Sequence, residues 1–277
     1  MQIARSIPEM KALRGKCAEP VGFVPTMGYL HEGHLELVRE ARRDNPVAVA
    51  SIFVNPTQFA PNEDYKAYPR DLDRDLAMLD RVKTGIVFIP DSKDMYADGY
   101  NTWVDVQGIT GKLEGKARPT HFRGVTTVCN KLFNIVQPNK AYFGQKDAQQ
   151  ALVIQKMVAD LNMNLEVVVC PTIREKDGLA MSSRNTYLTE SERISAPALY
   201  RSLCLAGDMF AGGERDAGVI RKAMIELISQ EPAAKIDYVS IADMQTLDEI
   251  DRIEGKALVS LAVRLGKPRL IDNIVLG

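Results

Sequence analysis

The stretch VGFVPTMGYLHEGHLELVREARRDNPVAVASIFV, residues 21–54, decides the fold. Val21 to Pro25 is a short apolar strand. A turn rich in glycine and histidine follows, and then a helix from Gly33 to Asp44. Leu35, Leu37 and Val38 give that helix an apolar side, and Arg39, Glu40, Arg42 and Arg43 a polar one. Val47 to Val54 is almost continuously apolar, the pattern of a strand covered on both faces. Strand, helix and strand at this spacing form a parallel pair with a right-handed crossover. The same alternation continues outward. Leu72 to Val82 is helical, with Leu72, Leu76 and Leu79 on one stripe, and Ile86 to Pro90 is a strand. Phe122 to Val136 is a helix, Ala141 to Phe143 a strand, Asp147 to Leu161 a helix and Leu165 to Cys170 a strand. The fold class is therefore α/β: a doubly wound parallel sheet with helices on both faces.

The pattern changes after about residue 175. Glu190 to Phe210 and Ala217 to Ser229 read as consecutive helices separated by Gly212 and Gly213. Three β-rich runs follow, Ile236 to Ile241, Ala257 to Val263 and Arg269 to Val275, and strands in succession predict a small antiparallel sheet. With 277 residues, two domains are expected: 1–175, and a smaller α+β domain over 176–277. Lys plus Arg is 35 and Asp plus Glu is 36, a net charge of −1, which argues against a basic nucleic-acid coat or a polybasic membrane anchor. No apolar run approaches the roughly 20 residues of a membrane helix, and the first residues lack the apolar core of a secretory signal. Cys17, Cys129, Cys170 and Cys204 stand in no C-x-x-C spacing and read as reduced thiols of a cytoplasmic protein.

Five segments could carry chemistry. The first runs from Pro25 to His34. In an open parallel sheet, ligands bind beyond the carboxyl ends of the strands, and a helix starting near Gly33 aims free N–H groups there, which suits phosphate. Gly28 and Gly33 permit close approach, and His31 and His34, three apart, would share a helical face. H-x-x-H also arises by chance, and no Cys or third His lies near enough in sequence to complete a zinc set. The second segment holds Asn55 and Gln58, whose amides could orient a polar substrate or simply cap a turn around Pro56. The third, Gly111 to Gly124, carries Lys112, Lys116, Arg118, His121 and Arg123, and could hold a polyanion or be a solvated loop. In the fourth, Lys146 could meet phosphate as a point charge, Asp147 could accept from ribose or cap a helix, and Gln150 would share its face. The fifth, Met181 to Asn185, suits a mobile lid over phosphates. All three histidines of the chain, His31, His34 and His121, fall inside these segments.

Taken together and in order, these motifs resemble the pantothenate synthetase (pantoate–β-alanine ligase) family along nearly the whole chain. The resemblance is carried by PTMGYLHEGH (25–34), FVNPTQF (53–59), LEG (113–115) with RPTHFRG (118–124), YFGQKD (142–147) with Gln149 and Gln150, and MSSRN (181–185). The H-x-G-H element also resembles the signature of a wider nucleotidyltransferase group. Gln145 stands where an acidic residue is also common in the family. The resemblance implies a Rossmann-like first domain, a smaller second domain that closes over the nucleotide, and a homodimer. It implies that pantoate attacks the α-phosphorus of ATP, accompanied by Mg²⁺, to give pantoyl adenylate and pyrophosphate. The amine of β-alanine then gives pantothenate and AMP.

By the same resemblance ATP is held by Met27, Gly28, Tyr29, Leu30, His31, Glu32, Gly33, His34, Gly144, Gln145, Lys146, Asp147, Ile173, Met181, Ser182, Ser183 and Arg184. His34, His31, Lys146 and Arg184 carry the catalysis. Gln58 and Gln150 bind pantoate, with Asn55, His121 and Arg118 also on the substrate side, and no residue is assigned as a metal ligand. Two other readings compete: a nucleotidyltransferase that stops at pyrophosphate release, and a non-catalytic nucleotide-binding module. Gln58, Gln150 and the second domain weigh against the former. For mere binding, His31, His34, Lys146 and Arg184 together would be surplus.

Overall fold

The computed structural model describes residues 1–60 and 65–277. In chain order its elements are β1 (Gln2–Ala4), α1 (Ile7–Arg14), β2 (Val21–Thr26), α2 (Glu32–Asp44), β3 (Val47–Ile52), α3 (Leu72–Arg81), β4 (Ile86–Phe88), α4 (Ser92–Met95), α5 (Leu113–Ala117), α6 (His121–Val136), β5 (Lys140–Gly144), α7 (Ala148–Asp160) and β6 (Glu166–Cys170). They continue with α8 (Glu190–Ser195), α9 (Ala198–Ala211), α10 (Ala217–Ile228), β7 (Ala234–Asp243), β8 (Ala257–Leu265) and β9 (Arg269–Leu276). The chain divides into two compact units. The first comprises residues 1–145 and 149–171, the second residues 146–148 and 172–277.

The first unit is built on a six-stranded sheet of order β1-β4-β3-β2-β5-β6, every pairing parallel. Its centre is the expected β2–α2–β3 unit, in register from Val21 opposite Val47 to Thr26 opposite Ile52. Val21, Phe23, Val24, Ala48, Val49 and Ala50 are at most 2% exposed, as strands covered on both faces require. Leu35, Val38 and Ala41 turn the apolar side of α2 onto the sheet. From β2 the chain builds outward through β3 and β4, whereas β5 and β6 lie on the other side of β2. The order therefore reverses between β2 and β5, and loops leaving their carboxyl ends flank a crevice suited to a ligand.

The sequence reading missed β1 and α1. β1 has three residues, too few for a period to register. α1 starts with a capping box in which the Ser6 side chain accepts from the Glu9 N–H and the Glu9 carboxylate accepts from the Ser6 N–H.

The second unit holds a three-stranded antiparallel sheet, β7-β8-β9, as the run of late strands predicts. Leu199, Leu203 and Ala206 of α9 and Ile220, Met224 and Ile228 of α10 form its core with Ile241, Val259, Leu261 and Val263. The helix expected over 190–210 is two helices, α8 and α9. Pro197, between them, has no N–H to continue the hydrogen-bond ladder. No helix among the described residues is long and apolar enough to cross a membrane.

Candidate active site

The loop from β2 to α2 is held in a conformation that ordinary residues rarely adopt. Gly28 has φ +79° and Tyr29 φ +48°. A Cβ at residue 28 would meet both Asp75 Oδ2 and Ile52 Cγ2 at 3.0 Å, so a side chain there would be strained and crowded. Asp75, on α3 and 1% exposed, accepts the backbone N–H groups of Tyr29 and Leu30, each at 2.7 Å. Burial raises the Asp75 carboxyl above its ordinary value, while the N–H groups of Leu30 and Tyr29 and the neighbouring Arg74 pull it down. Arg74 also donates to the Leu30 carbonyl at 2.9 Å and lies over the Tyr29 ring at 5.1 Å. Sequence reasoning missed Asp75 and Arg74, because nothing in the run 71–75 sets one acid apart from the next.

His31 is the N-cap of α2 and His34 its third residue. Their rings lie 4.0 Å apart, tilted by 38°. The His31 N–H donates to His34 Nδ1 at 3.3 Å. An Nδ1 that accepts carries no proton, so neutral His34 bears its hydrogen on Nε2. Glu32 faces along the helix and pairs with Arg39 at 2.5 Å.

At the end of β3, Asn55 does cap a 3₁₀ turn over Pro56–Gln58, and it also reaches Gln58. Asn55 is 1% and Gln58 8% exposed. Gln58 Nε2 donates to Met27 Sδ at 2.9 Å, which sets its amide against the first residues of the histidine loop. His121 and Arg118 converge on the same residue from the start of α6. His121 Nδ1 lies 3.0 Å and Arg118 Nη2 3.3 Å from the Gln58 carbonyl oxygen. A carbonyl only accepts, so His121 Nδ1 is the donor there and Nε2, 3.3 Å from Arg118 Nη1, accepts. Both residues thus engage the Gln58 backbone. The rest of the basic segment is more ordered than a solvated loop: it contains α5, and Arg123 lies over the Trp103 ring at 4.6 Å. Tyr96, not anticipated, donates its hydroxyl to Asn55 Oδ1 at 2.8 Å. Burial pushes the Tyr96 phenol up to about 12, so it remains a donor at neutral pH.

Past β5, Gly144, Gln145, Lys146 and Asp147 lead through a 3₁₀ turn into α7. Lys146 Nζ is 3.7 Å from Asp147 Oδ1, and the Lys146 carbonyl accepts from Asn273 Nδ2 at 2.9 Å. Gln150 is half-buried on the first turn of α7. Its neighbour Gln149 is buried and donates to the carbonyls of Ile109 and Lys112. In the second unit the Ile173 carbonyl accepts from the Met181 N–H at 3.0 Å, closing a short hairpin. Arg174 clamps that hairpin to β9 through Asp272, with contacts of 2.6 and 3.0 Å. Met181, Ser182, Ser183 and Arg184 follow, with Ser182 Oγ accepting from the Arg184 N–H at 3.3 Å. Lys146, Ala180, Ser182, Asn185 and Asp272 line a small crevice, which places Lys146 beside the fifth segment.

The pantoate-beta-alanine ligase family model matches residues 2–275. This chain belongs to that family. It is 57% identical to the pantothenate synthetase of Herpetosiphon aurantiacus over 277 residues, covering all of both chains. It is 55% identical to that of Acetivibrio thermocellus, over 99% of both. Among solved structures, the pantothenate synthetase of Thermus thermophilus superposes with a TM-score of 0.95 at 46% identity, over 99% of both chains. The pantoate-beta-alanine ligase of Francisella tularensis, complexed with beta-gamma ATP and beta-alanine, does so with a TM-score of 0.80 at 35% identity, over 99% of this chain and 97% of the other. As a pantoate–β-alanine ligase, the chain uses ATP to close an amide bond between pantoate and β-alanine.

Proposed function

We propose that this ligase works through a pantoyl adenylate. The pantoate carboxylate attacks the α-phosphorus of ATP and pyrophosphate leaves; the β-alanine amine then attacks the acyl carbon and AMP leaves. A carboxylate is a poor electrophile, and the mixed anhydride supplies the leaving group it lacks. The enzyme's task is then to position two reactants and to offset phosphate charge. The observation that carries the reading is the contact of Gln58 with Met27, because it sets a substrate-orienting amide beside the loop that presents His31 and His34.

In this reading Met27 to His34, Gly144 to Asp147, Ile173 and Met181 to Arg184 hold ATP. His34 Nε2–H and His31 meet the charge that develops on the departing pyrophosphate, and Lys146 and Arg184 offset the phosphates. Gln58 and Gln150 bind pantoate. Asn55, His121 and Arg118 serve the substrate side through their hold on Gln58. Among the described residues no group of three His, Cys, Asp or Glu side chains could hold a metal ion. Mg²⁺ typically keeps water and substrate phosphates as most of its ligands. It would therefore enter on the triphosphate and neutralise charge there. The four cysteines, all unpaired, fit the cytoplasm, and the family resemblance supports a homodimer.

Pantoate carrying heavy oxygen in its carboxylate tests the mechanism. With ATP and β-alanine, one label should appear in AMP. Label retained wholly in pantothenate and unreacted pantoate would refute the adenylate.

A further inference from the structure

We propose that Tyr96 and Asn55 are positioning residues that fix the polarity of the Gln58 side chain, so that it offers its NH₂ group, and not its carbonyl, to the pantoate carboxylate. Two backbone groups beside Asn55 have roles that cannot be exchanged. The Gly124 carbonyl, which only accepts, lies 3.1 Å from one end of the Asn55 amide, so that end is Nδ2. The Thr57 N–H, which only donates, lies 3.4 Å from the other end, so that end is Oδ1. With Oδ1 so assigned, the Tyr96 hydroxyl at 2.8 Å and the Thr57 hydroxyl at 2.9 Å donate to it and hold it there.

Asn55 is 1% exposed, so the second hydrogen on Nδ2 needs an acceptor inside the protein. The group in reach is Gln58, at 3.2 Å, and it can serve only by turning Oε1 toward Asn55. Nε2 is then the outer end of Gln58. Its partner Met27 Sδ, at 2.9 Å, is a thioether and a weak acceptor, which a ligand oxygen would replace at a gain. Tyr96 stands at the head of this chain, 41 residues from Asn55, and reaches the substrate only through two amides. Glycine at 124 is part of the device: a Cβ there would meet Thr57 O at 2.4 Å and Gln58 N at 2.6 Å, and so would push apart the backbones that the Asn55 amide spans.

The inference rests on Gln58 contacting pantoate, and the test separates the two. Dissociation constants for pantoate and for ATP are measured on the whole enzyme carrying Gln58→Ala, Gln58→Glu, Asn55→Ala, Tyr96→Phe and the pairings of the last two with Gln58→Ala. Gln58→Ala should weaken pantoate by about tenfold, the loss of one hydrogen bond to a charged group. Gln58→Glu should be weaker still, by a further tenfold or so, because Asn55 keeps one oxygen and the other confronts the carboxylate. Asn55→Ala and Tyr96→Phe should each weaken pantoate severalfold alone and add almost nothing in the Gln58→Ala background. ATP affinity should stay within about twofold throughout, a split that general unfolding would not produce. If Gln58→Glu binds pantoate as well as the parent enzyme, the polarity is reversed. Additive costs in the paired variants mean that Tyr96 and Asn55 do not act through Gln58. No effect of Gln58→Ala removes the pantoate contact itself, and the inference with it. Should Asn55→Ala fail to fold, Tyr96→Phe carries the comparison alone.

Discussion

At the scale of single residues, His34 has a job that its neighbour defines. The His31 N–H occupies Nδ1, which leaves Nε2–H as the donor of the neutral ring. Removing one preorganised donor of this kind costs about 10²–10³ in rate. His34→Ala is therefore expected to slow single-turnover adenylate formation by that factor while ATP binding changes little. An unchanged single-turnover rate would refute the role.

Asp75 makes a different prediction, through pH. Its ordinary value is 3.8 and burial raises it in the fold. Between the two values the unfolded chain has released the proton and the folded chain still holds it. Raising the pH therefore favours the unfolded state, and the stability present below 3.8 is lost as pH rises through the folded value. Asp75→Asn removes this slope. Denaturant unfolding at rising pH from 3.8 should show the stability difference between variant and parent moving in favour of the variant until the folded value is passed, and constant beyond it. ATP affinity should nevertheless fall by about tenfold, because the Asn NH₂ cannot accept from Tyr29 or Leu30 and one buried N–H is left unmet. A pH-independent difference would assign the slope to other groups.

At the scale of elements, the approach of α6 to the 3₁₀ turn at 56–58 depends on Gly124. The atoms that a Cβ would strike are backbone atoms, which no rotamer change relieves. Gly124→Ala should cost about 1–3 kcal/mol of stability, the usual range for overpacking. It should also weaken pantoate binding, since the Asn55 contact to the Gly124 carbonyl goes with it. Wild-type stability in a denaturant melt would show that the turn can retreat freely.

Elements were legible where one period ran long enough. β2, α2 and β3 read directly because a continuous apolar run or a helical stripe covers each whole element. The reading ran through Pro197 because apolar residues recur on both sides of the break, and it passed over α1 although Ser6 and Glu9 carry its capping signal. Within the site, His31 and His34 were legible because their spacing is local. The partners that fix the site were not. Asp75 lies 45 residues beyond Leu30 and Tyr96 lies 41 beyond Asn55, and only the folded sheet brings such pairs together. For His121 and Arg118 the type was readable and the direction was not: both turn to the backbone of Gln58.

At the scale of the whole molecule, the second unit has its own core, in which residues of α9 and α10 pack with β7 and β8. A fragment of residues 172–277 is long enough to bury such a core. It should fold alone and melt in one cooperative thermal transition followed by circular dichroism. A broad, featureless melt would show that it depends on the remainder of the chain.

The order of strands also sets a timetable for the chain as it is made. β1 precedes β2 and β3 in the chain, yet its partner is β4, with Gln2 opposite Ile86. At about 5–20 residues per second the partner follows several seconds later. β2, α2 and β3, which are neighbours in both sequence and space, can close in that interval. β1 thus waits for β4, while β2 and β3, made after it, pair first. Until then β1 is an unpaired strand that a chaperone or a protease can reach, and a slow codon between residues 5 and 85 lengthens that exposure without altering the finished enzyme.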